Sequence, residues 1–118
     1  MEHRFKPGDF LFFQLEAGFA LIRLLAVSET SDGTVWHVNT YHDLFPDTDS
    51  IENAVSNPDE LSIAIRHIAL TDRAFESTQV ANIGFTEPTD AERALTEQWN
   101  AKPGEISDRS IRLHMGLR

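Results

Sequence analysis

The chain contains no cysteine, so it has neither a disulfide framework nor a thiolate for catalysis or metal binding. It also lacks a long apolar run. The longest, residues 19–27, is interrupted by Arg23 and is too short to span a bilayer. Residues 1–9 have no apolar region of the kind found in signal peptides. We therefore expect a cytoplasmic protein that does not associate with membranes.

Basic residues are missing from the middle third of the chain. Residues 24–65 contain no lysine or arginine, while the whole protein carries a net charge of −9. The acids of this stretch are Glu29, Asp32, Asp43, Asp47, Asp49, Glu52, Asp59 and Glu60. Such a field repels nucleic acid and attracts a basic protein. We predict a basic partner and no nucleic acid, with a merely solvated acidic surface as the alternative.

Sequence motifs for catalysis and cofactor binding are absent. There is no Walker loop, no G-x-G-x-x-G and no G-x-S-x-G nucleophile elbow. The order Asp47-Thr48-Asp49 resembles the start of a calcium loop, but Glu52 and Pro58 occupy the positions of its required Gly and Glu. We predict no catalytic residues, no metal ligands and no cofactor.

Two histidines lie in one predicted strand. His37 and His42 are five residues apart, which places them on opposite faces unless the strand bends between them. Ordinary hydrogen-bonded histidines are the simpler interpretation. An enzyme site built from His37, Tyr41, His42 and Asp43 remains the alternative.

The chain is organised around a predicted β-hairpin. Residues 10–15 and 19–27 are two apolar segments joined by Glu16-Ala17-Gly18, the pattern of two paired strands. Both faces of this hairpin should be covered, since nearly every residue outside the turn is apolar. Ile22 and Leu24 should face the main core, whereas the face that carries Arg23 should reach solvent or a partner at its middle.

The remaining elements follow from turn and capping signals. Further strands are predicted at residues 34–42, 61–70 and 79–85, a short helix at 50–56, and a helix at 90–101. Asp49 should cap the short helix, and the order Thr89-Asp90-Ala91-Glu92 is a capping box. Trp99 should pack on the sheet through the face that it shares with Ala91 and Leu95. Residues 71–78 should be a polar connection.

These elements predict one α+β domain spanning residues 1–118. Its mostly antiparallel sheet should be strongly bent or form a small open β-barrel, with the C-terminal helix packed across it and the short helix in the middle loop. The tail, residues 105–118, is predicted to be either a final edge strand or a frayed end.

Two stretches carry a family resemblance. The order Pro7-Gly8-Asp9-Phe10, followed by Gly18-Phe19-Ala20, resembles the start of the immunity-protein-26 family of bacterial polymorphic-toxin systems. The later order Ile83-Gly84-Phe85, with Pro88 before a helix, is similar to that family as well. The resemblance implies a cytoplasmic, β-rich bacterial protein that binds and neutralises a toxin domain, and it implies no catalytic residues.

The opening of the chain is also similar to the messenger-RNA interferase toxins, which begin with a Gly-Asp strand and a hairpin in a small barrel. Those proteins usually carry Arg-Pro before the apolar run of the second strand, where this chain has Gly18-Phe19-Ala20. They also use basic residues to bind RNA, and residues 24–65 contain none. The immunity family is therefore the preferred resemblance.

The resulting hypothesis is a non-catalytic immunity protein that occludes a basic toxin domain. Acids would steer the partner and exposed aromatics would anchor it. The predicted partner-binding residues are Tyr41, Asp43, Phe45, Asp47, Asp49, Glu52, Asp59 and Glu60. The alternatives are a small β-barrel enzyme or metal-dependent hydrolase with a site near His37 and His42, and a structural homodimer.

Overall fold

The first two strands form the predicted hairpin. The structure, a computed structural model, describes residues 4–116. Strands β1 (Asp9–Leu15) and β2 (Gly18–Thr30) pair antiparallel, with Leu15 opposite Gly18. Gly18 has a φ of +148°, and a Cβ at this position would lie 2.4 Å from the carbonyl oxygen of Phe45. Glycine is therefore required where the turn passes the end of a neighbouring strand.

Three further strands complete one sheet. They are β3 (Gly33–Phe45), β4 (Ile63–Thr71) and β5 (Ala81–Phe85). The strand order is β4-β3-β2-β1-β5 and every neighbouring pair is antiparallel. Within residues 4–116 the two outer strands do not pair with each other, so the sheet is open. The prediction of an α+β fold with a mostly antiparallel sheet is confirmed, and the sheet is open and five-stranded.

The larger apolar cluster covers one face of the sheet. Ile22 and Leu24 have no exposed surface, as the alternation of β2 predicts. The other fully or nearly buried members are Leu11, Phe13, Ala20, Trp36, Val38, Ile68, Leu70, Ala74, Phe75, Val80 and Ile111. Four of the five strands contribute to this cluster, so it joins the sheet into one core.

A second apolar cluster covers part of the opposite face. It contains Phe10, Leu21 and Tyr41 from the sheet and Ile51 from helix α1 (Thr48–Ser56). A 3₁₀ helix, Pro58–Glu60, follows α1. Asp47 caps α1 by accepting a hydrogen bond from the Ser50 amide, so the prediction that Asp49 is the cap was wrong by two residues.

The connection after β4 is partly helical. Residues 71–78 were predicted to be a polar loop, but helix α2 (Asp72–Glu76) forms there, and the Thr71 side chain caps it. Ala74 and Phe75 turn inward and are buried. Their side chains were the only apolar signal in the segment, and one helical turn is enough to bring both to the core.

Helix α3 (Asp90–Ala101) has the predicted bounds and the predicted capping box between Thr89 and Glu92. Trp99 packs on the sheet at His37 and Leu95 is half-buried, as predicted, but Ala91 is exposed and does not share that face. Thr96 is buried and Glu92 is half-buried. The inward face therefore contains positions 92, 95, 96 and 99, and Glu92 binds the buried Arg23 on the sheet.

The tail is neither a regular edge strand nor frayed over the residues that the structure describes. Ser107 forms a single parallel bridge with Leu70. A short helix α4 (Ile111–His114) then places Ile111 in the main core. The last two residues of the predicted tail, 117–118, lie outside the described residues.

Helix length also bears on membranes. Among residues 4–116, every helix is too short or too polar to cross a bilayer.

The burial of Leu24 yields a stability prediction. Leu24→Ala should lower the free energy of unfolding by about 2–5 kcal/mol, because it removes three buried carbons and leaves a cavity. Leu113→Ala is the matched control, since Leu113 is 64% exposed and should change stability by about 0.5 kcal/mol or less. Urea denaturation measures both. Equal midpoints for the two variants would contradict the assigned face of β2.

Candidate functional site

Arg23 lies buried at the centre of the face opposite the main core, with 4% of its surface exposed. Its guanidinium donates to both carboxylate oxygens of Glu92 at 2.8 and 3.2 Å. It also donates to Thr86 Oγ1 and to the carbonyls of Gly8, Thr86 and Glu87. The prediction that this face reaches solvent or a partner at Arg23 was wrong, because α3 and the segment before it cover the guanidinium.

The surroundings of Arg23 explain why a charge is tolerated there. The guanidinium carbon lies 4.6 Å from the centre of the Phe10 ring, a cation–π distance. All its donor nitrogens have oxygen partners, so the desolvation of the charge is offset by paired and charge-assisted bonds. Arg23 thus fastens α3 and residues 86–87 to the sheet.

A cavity of about 500 Å³ opens beside this cluster. Its floor contains Phe10, Arg23, Asn39 and Tyr41 of the sheet. On one side lie Leu61 and the 3₁₀ helix, and on the other lie Leu95 and the start of α3. The size and the mixed apolar and polar lining are typical of small-molecule sites.

Asn39 is the unusual member of this floor. It is 2% exposed, and neither its amide nitrogen nor its amide oxygen has a hydrogen-bond partner of normal geometry in the described chain. Burial raises the pKa of Tyr41, while the nearby Asn39 amide and the charge of Arg23 act in the opposite direction. The Tyr41 hydroxyl therefore lies beside the amide without forming a well-aligned bond to it.

A chain of polar side chains runs beneath the other end of α3. Ser28 Oγ donates to Asn100 Oδ1 at 3.3 Å and lies 2.9 Å from His37 Nε2. His37 Nδ1 lies 2.8 Å from His67 Nε2. If the Ser28 proton points to Asn100, His37 is neutral, donates from Nε2 and accepts at Nδ1 from His67.

Both rings of this pair favour the neutral form. Burial, followed by the charge of His67, lowers the pKa of His37 from its ordinary value of 6.5 to about 4. Burial also lowers the pKa of His67. The Trp99 ring packs edge-on against His37, with the ring centres 4.8 Å apart. The histidine pair therefore packs beneath α3, through Trp99 directly and through Ser28 to Asn100.

The alternative enzyme residues are not assembled into one site. His37 is buried in the histidine pair, whereas His42 is exposed. The Asp43 carboxylate instead accepts a hydrogen bond from the Ser62 amide at 2.8 Å. No three histidine or carboxylate side chains within residues 4–116 form a metal-binding group.

The predicted acidic residues lie on consecutive elements. We call Asp43, Asp47, Asp49, Glu52, Asp59 and Glu60 the acidic surface; they occupy the end of β3, the start and body of α1, and the 3₁₀ helix. Five are exposed, and Asp43 is half-buried. Within residues 4–116 none of the six forms an ion pair. The arginines Arg73 and Arg93 pair elsewhere, with Asp108 and with Glu87 and Asp90.

The predicted aromatic anchors are not exposed. Tyr41 is 4% exposed and Phe45 is half-buried against the second cluster. The exposed apolar side chains in this region are instead Leu44 at 55% and Ile63 at 50%. Leu44 was missed because the third strand was predicted to end at residue 42, whereas β3 continues to Phe45, which packs inward and leaves Leu44 on the exposed side.

Compared with family profiles, curated protein sequences and solved structures, the chain matches none of them.

The ion pair at Arg23 can be tested by removing one charge. Glu92→Gln keeps the shape of the side chain and an oxygen for the Thr89 amide, but it weakens the bonds to Arg23. We expect the free energy of unfolding to fall by about 1.5–3 kcal/mol, the range for hydrogen bonds to charged groups. Glu97→Gln, on the exposed side of α3, is the control. Thermal and urea melts in which the two variants coincide would contradict the role of Glu92.

The histidine pair predicts a dependence of stability on pH. His37 has a lower pKa in the folded chain than in the unfolded chain, so between pH 6.5 and about 4 the unfolded chain binds more protons. Stability that is present above pH 6.5 should therefore be lost as pH falls through this window. The slope should be shallower in His37→Gln, while His42→Gln controls for removal of an exposed histidine. Urea melts at several pH values measure the free energy of unfolding. If its dependence on pH is the same for wild type and His37→Gln, the role assigned to His37 is wrong.

Proposed function

We propose that this chain is a non-catalytic binding protein that docks a basic protein partner on the acidic surface. The observation that supports this best is that six acids on adjoining elements lack ion pairs within residues 4–116, whereas the exposed arginines Arg73 and Arg93 are paired with other acids. Uncompensated like charges repel one another and destabilise a folded chain. A partner that neutralises them removes this cost.

The acidic surface also has apolar contacts to offer. Leu44 and Ile63 are each half exposed or more, and their segments are joined by the bond between Asp43 and the Ser62 amide. Charged groups around an apolar centre are the usual anatomy of a protein interface. The acids would raise the association rate, and the two aliphatic side chains would slow dissociation.

The most specific form of this proposal is an immunity protein for a basic bacterial toxin domain. The Gly-Asp strand and the following Gly-aromatic strand, β1 and β2, carry the resemblance to the immunity-protein-26 family. Neutralisation would proceed by occlusion: the acidic surface covers the basic groups with which the toxin engages its target. No bond is made or broken.

Charge reversal on the acidic surface tests the proposal. The variant Asp49→Lys, Glu52→Lys, Glu60→Lys leaves Asp47 in place because Asp47 caps α1. Association with a toxin domain encoded beside this chain should slow by about tenfold or more at low salt. The difference should shrink as salt rises, since the Debye length falls from about 10 Å at 0.1 M to about 3 Å at 1 M.

A matched variant changes the same net charge elsewhere. Glu76→Lys, Glu97→Lys, Glu105→Lys alters three exposed acids outside the acidic surface and should associate at close to the wild-type rate. Surface plasmon resonance measures both rates. If both triple variants associate equally slowly, the effect comes from net charge and not from the acidic surface. If no protein encoded beside this chain binds to it, the immunity proposal is wrong.

A homodimer is the second candidate, because the outer edge of β4 is unpaired from Ile63 to Ile68 in the described chain. Open edges of this kind pair readily with a second strand. Sedimentation equilibrium distinguishes the two candidates: a concentration-dependent dimer that Ile63→Lys abolishes would favour self-association.

A further inference from the structure

The cavity between the 3₁₀ helix and α3 has a polar floor that the proposed docking of a protein does not use. We propose that it is a binding site for a small neutral ligand whose ring presents a cyclic amide edge, the edge that uracil and related imides carry. The Asn39 amide would pair with that edge, and Tyr41 would lie over it.

The state of Asn39 identifies the edge. A primary amide offers an N–H donor beside a C=O acceptor, and both are without a well-formed partner here. A buried polar group left in this state destabilises the fold, so a structure that keeps it usually satisfies it in another way. The complementary group is an acceptor beside a donor in one plane, which a cyclic amide supplies. A carboxylate would leave the Asn39 oxygen unpaired.

The charges around the cavity favour a neutral ligand. The Arg23 guanidinium is paired with Glu92, and Glu87 is paired with Arg93. Asp59 and Arg66 add one charge of each sign to the lining. The local charges therefore cancel, and neither an anion nor a cation gains from entering.

The walls set the size and character of the ligand. Phe10, Leu25, Leu61 and Leu95 supply apolar surface, which suits the faces of a planar ring. About 500 Å³ is enough for a ring with a polar substituent such as a ribose. Because Asn39 is only 2% exposed, the ligand must displace a side chain to reach it. Tyr41 adjoins the amide and is the group placed to move.

This movement supplies a specific readout, because Tyr41 is the one tyrosine of the sequence. Protein labelled with 3-fluorotyrosine gives a single fluorine resonance. We expect uridine, titrated to about 10 mM, to shift that resonance with saturation, since this range covers a millimolar Kd. Uridine methylated at N3 keeps the ring and ribose but loses the donor, and it should bind about tenfold more weakly or not at all.

A pair of variants separates the Asn39 amide from the cavity shape. Asn39→Leu keeps a side chain of similar size without polar atoms and should weaken uridine binding by about tenfold or more. Thr96→Val is the matched control. Like the Asn39 amide, the Thr96 hydroxyl is a buried polar group without a partner in the described chain, but Thr96 does not line the cavity. Each variant should raise the urea midpoint, and Thr96→Val should bind uridine as the wild type does.

Asp59 and Ile63 line the cavity and also belong to the surface proposed to dock a protein. The two proposals can still be tested separately. Asn39→Leu should associate with a basic partner at the wild-type rate. Equal binding of uridine and its N3-methyl form, or of uridine by wild type and Asn39→Leu, would overturn the proposal. The proposal would also be overturned if the Tyr41 resonance moved neither with uridine nor with the simple cyclic imide glutarimide. The ligand comparison needs no variant, so it decides the matter even if Asn39→Leu does not fold.

Discussion

The ion pair between Arg23 and Glu92 determines how the second face of the sheet is covered. Arg23 has six hydrogen bonds to three separate parts of the chain: the turn before β1, residues 86–87, and α3. A buried guanidinium that lost the Glu92 carboxylate would be left with an uncompensated charge, which is strongly destabilising. The ion pair therefore holds α3 over this part of the sheet.

The helical segments on the second face of the sheet leave a cavity uncovered. Helix α1 packs on the second apolar cluster through Ile51, and α3 packs over Arg23 and His37. The cavity above Asn39 lies between α3 and the 3₁₀ helix that follows α1. The acids of α1 and the 3₁₀ helix are exposed to solvent.

The two proposed activities therefore use different properties of one region. Docking of a basic partner depends on charges that project outward from α1 and the 3₁₀ helix. Ligand binding depends on an amide that faces inward from β3. Asp59 lies on both surfaces, so a bound partner would stand close to the cavity mouth.

Local sequence was sufficient for most of the elements. The hairpin, the bounds of α3 and its capping box depend on alternation and on capping residues within a few positions of each other. The burial of Ile22 and Leu24 also followed, because one apolar face of a strand must meet the core. The excess of acids in residues 24–65 could also be read from the sequence, because the formal charge of a side chain does not depend on the fold.

Local pattern therefore predicted most of the elements, part of the main core and the negative charge of the middle third, but not α2 or α4. The burial of Arg23, the exposure of Leu44 rather than Tyr41, and the position of Asn39 beneath a cavity depend on how distant segments pack. Arg23 and Glu92 are 69 residues apart, and no periodicity within a strand or helix relates them. Side chains whose partners come from distant segments acquire their roles only when the sheet and helices have packed together.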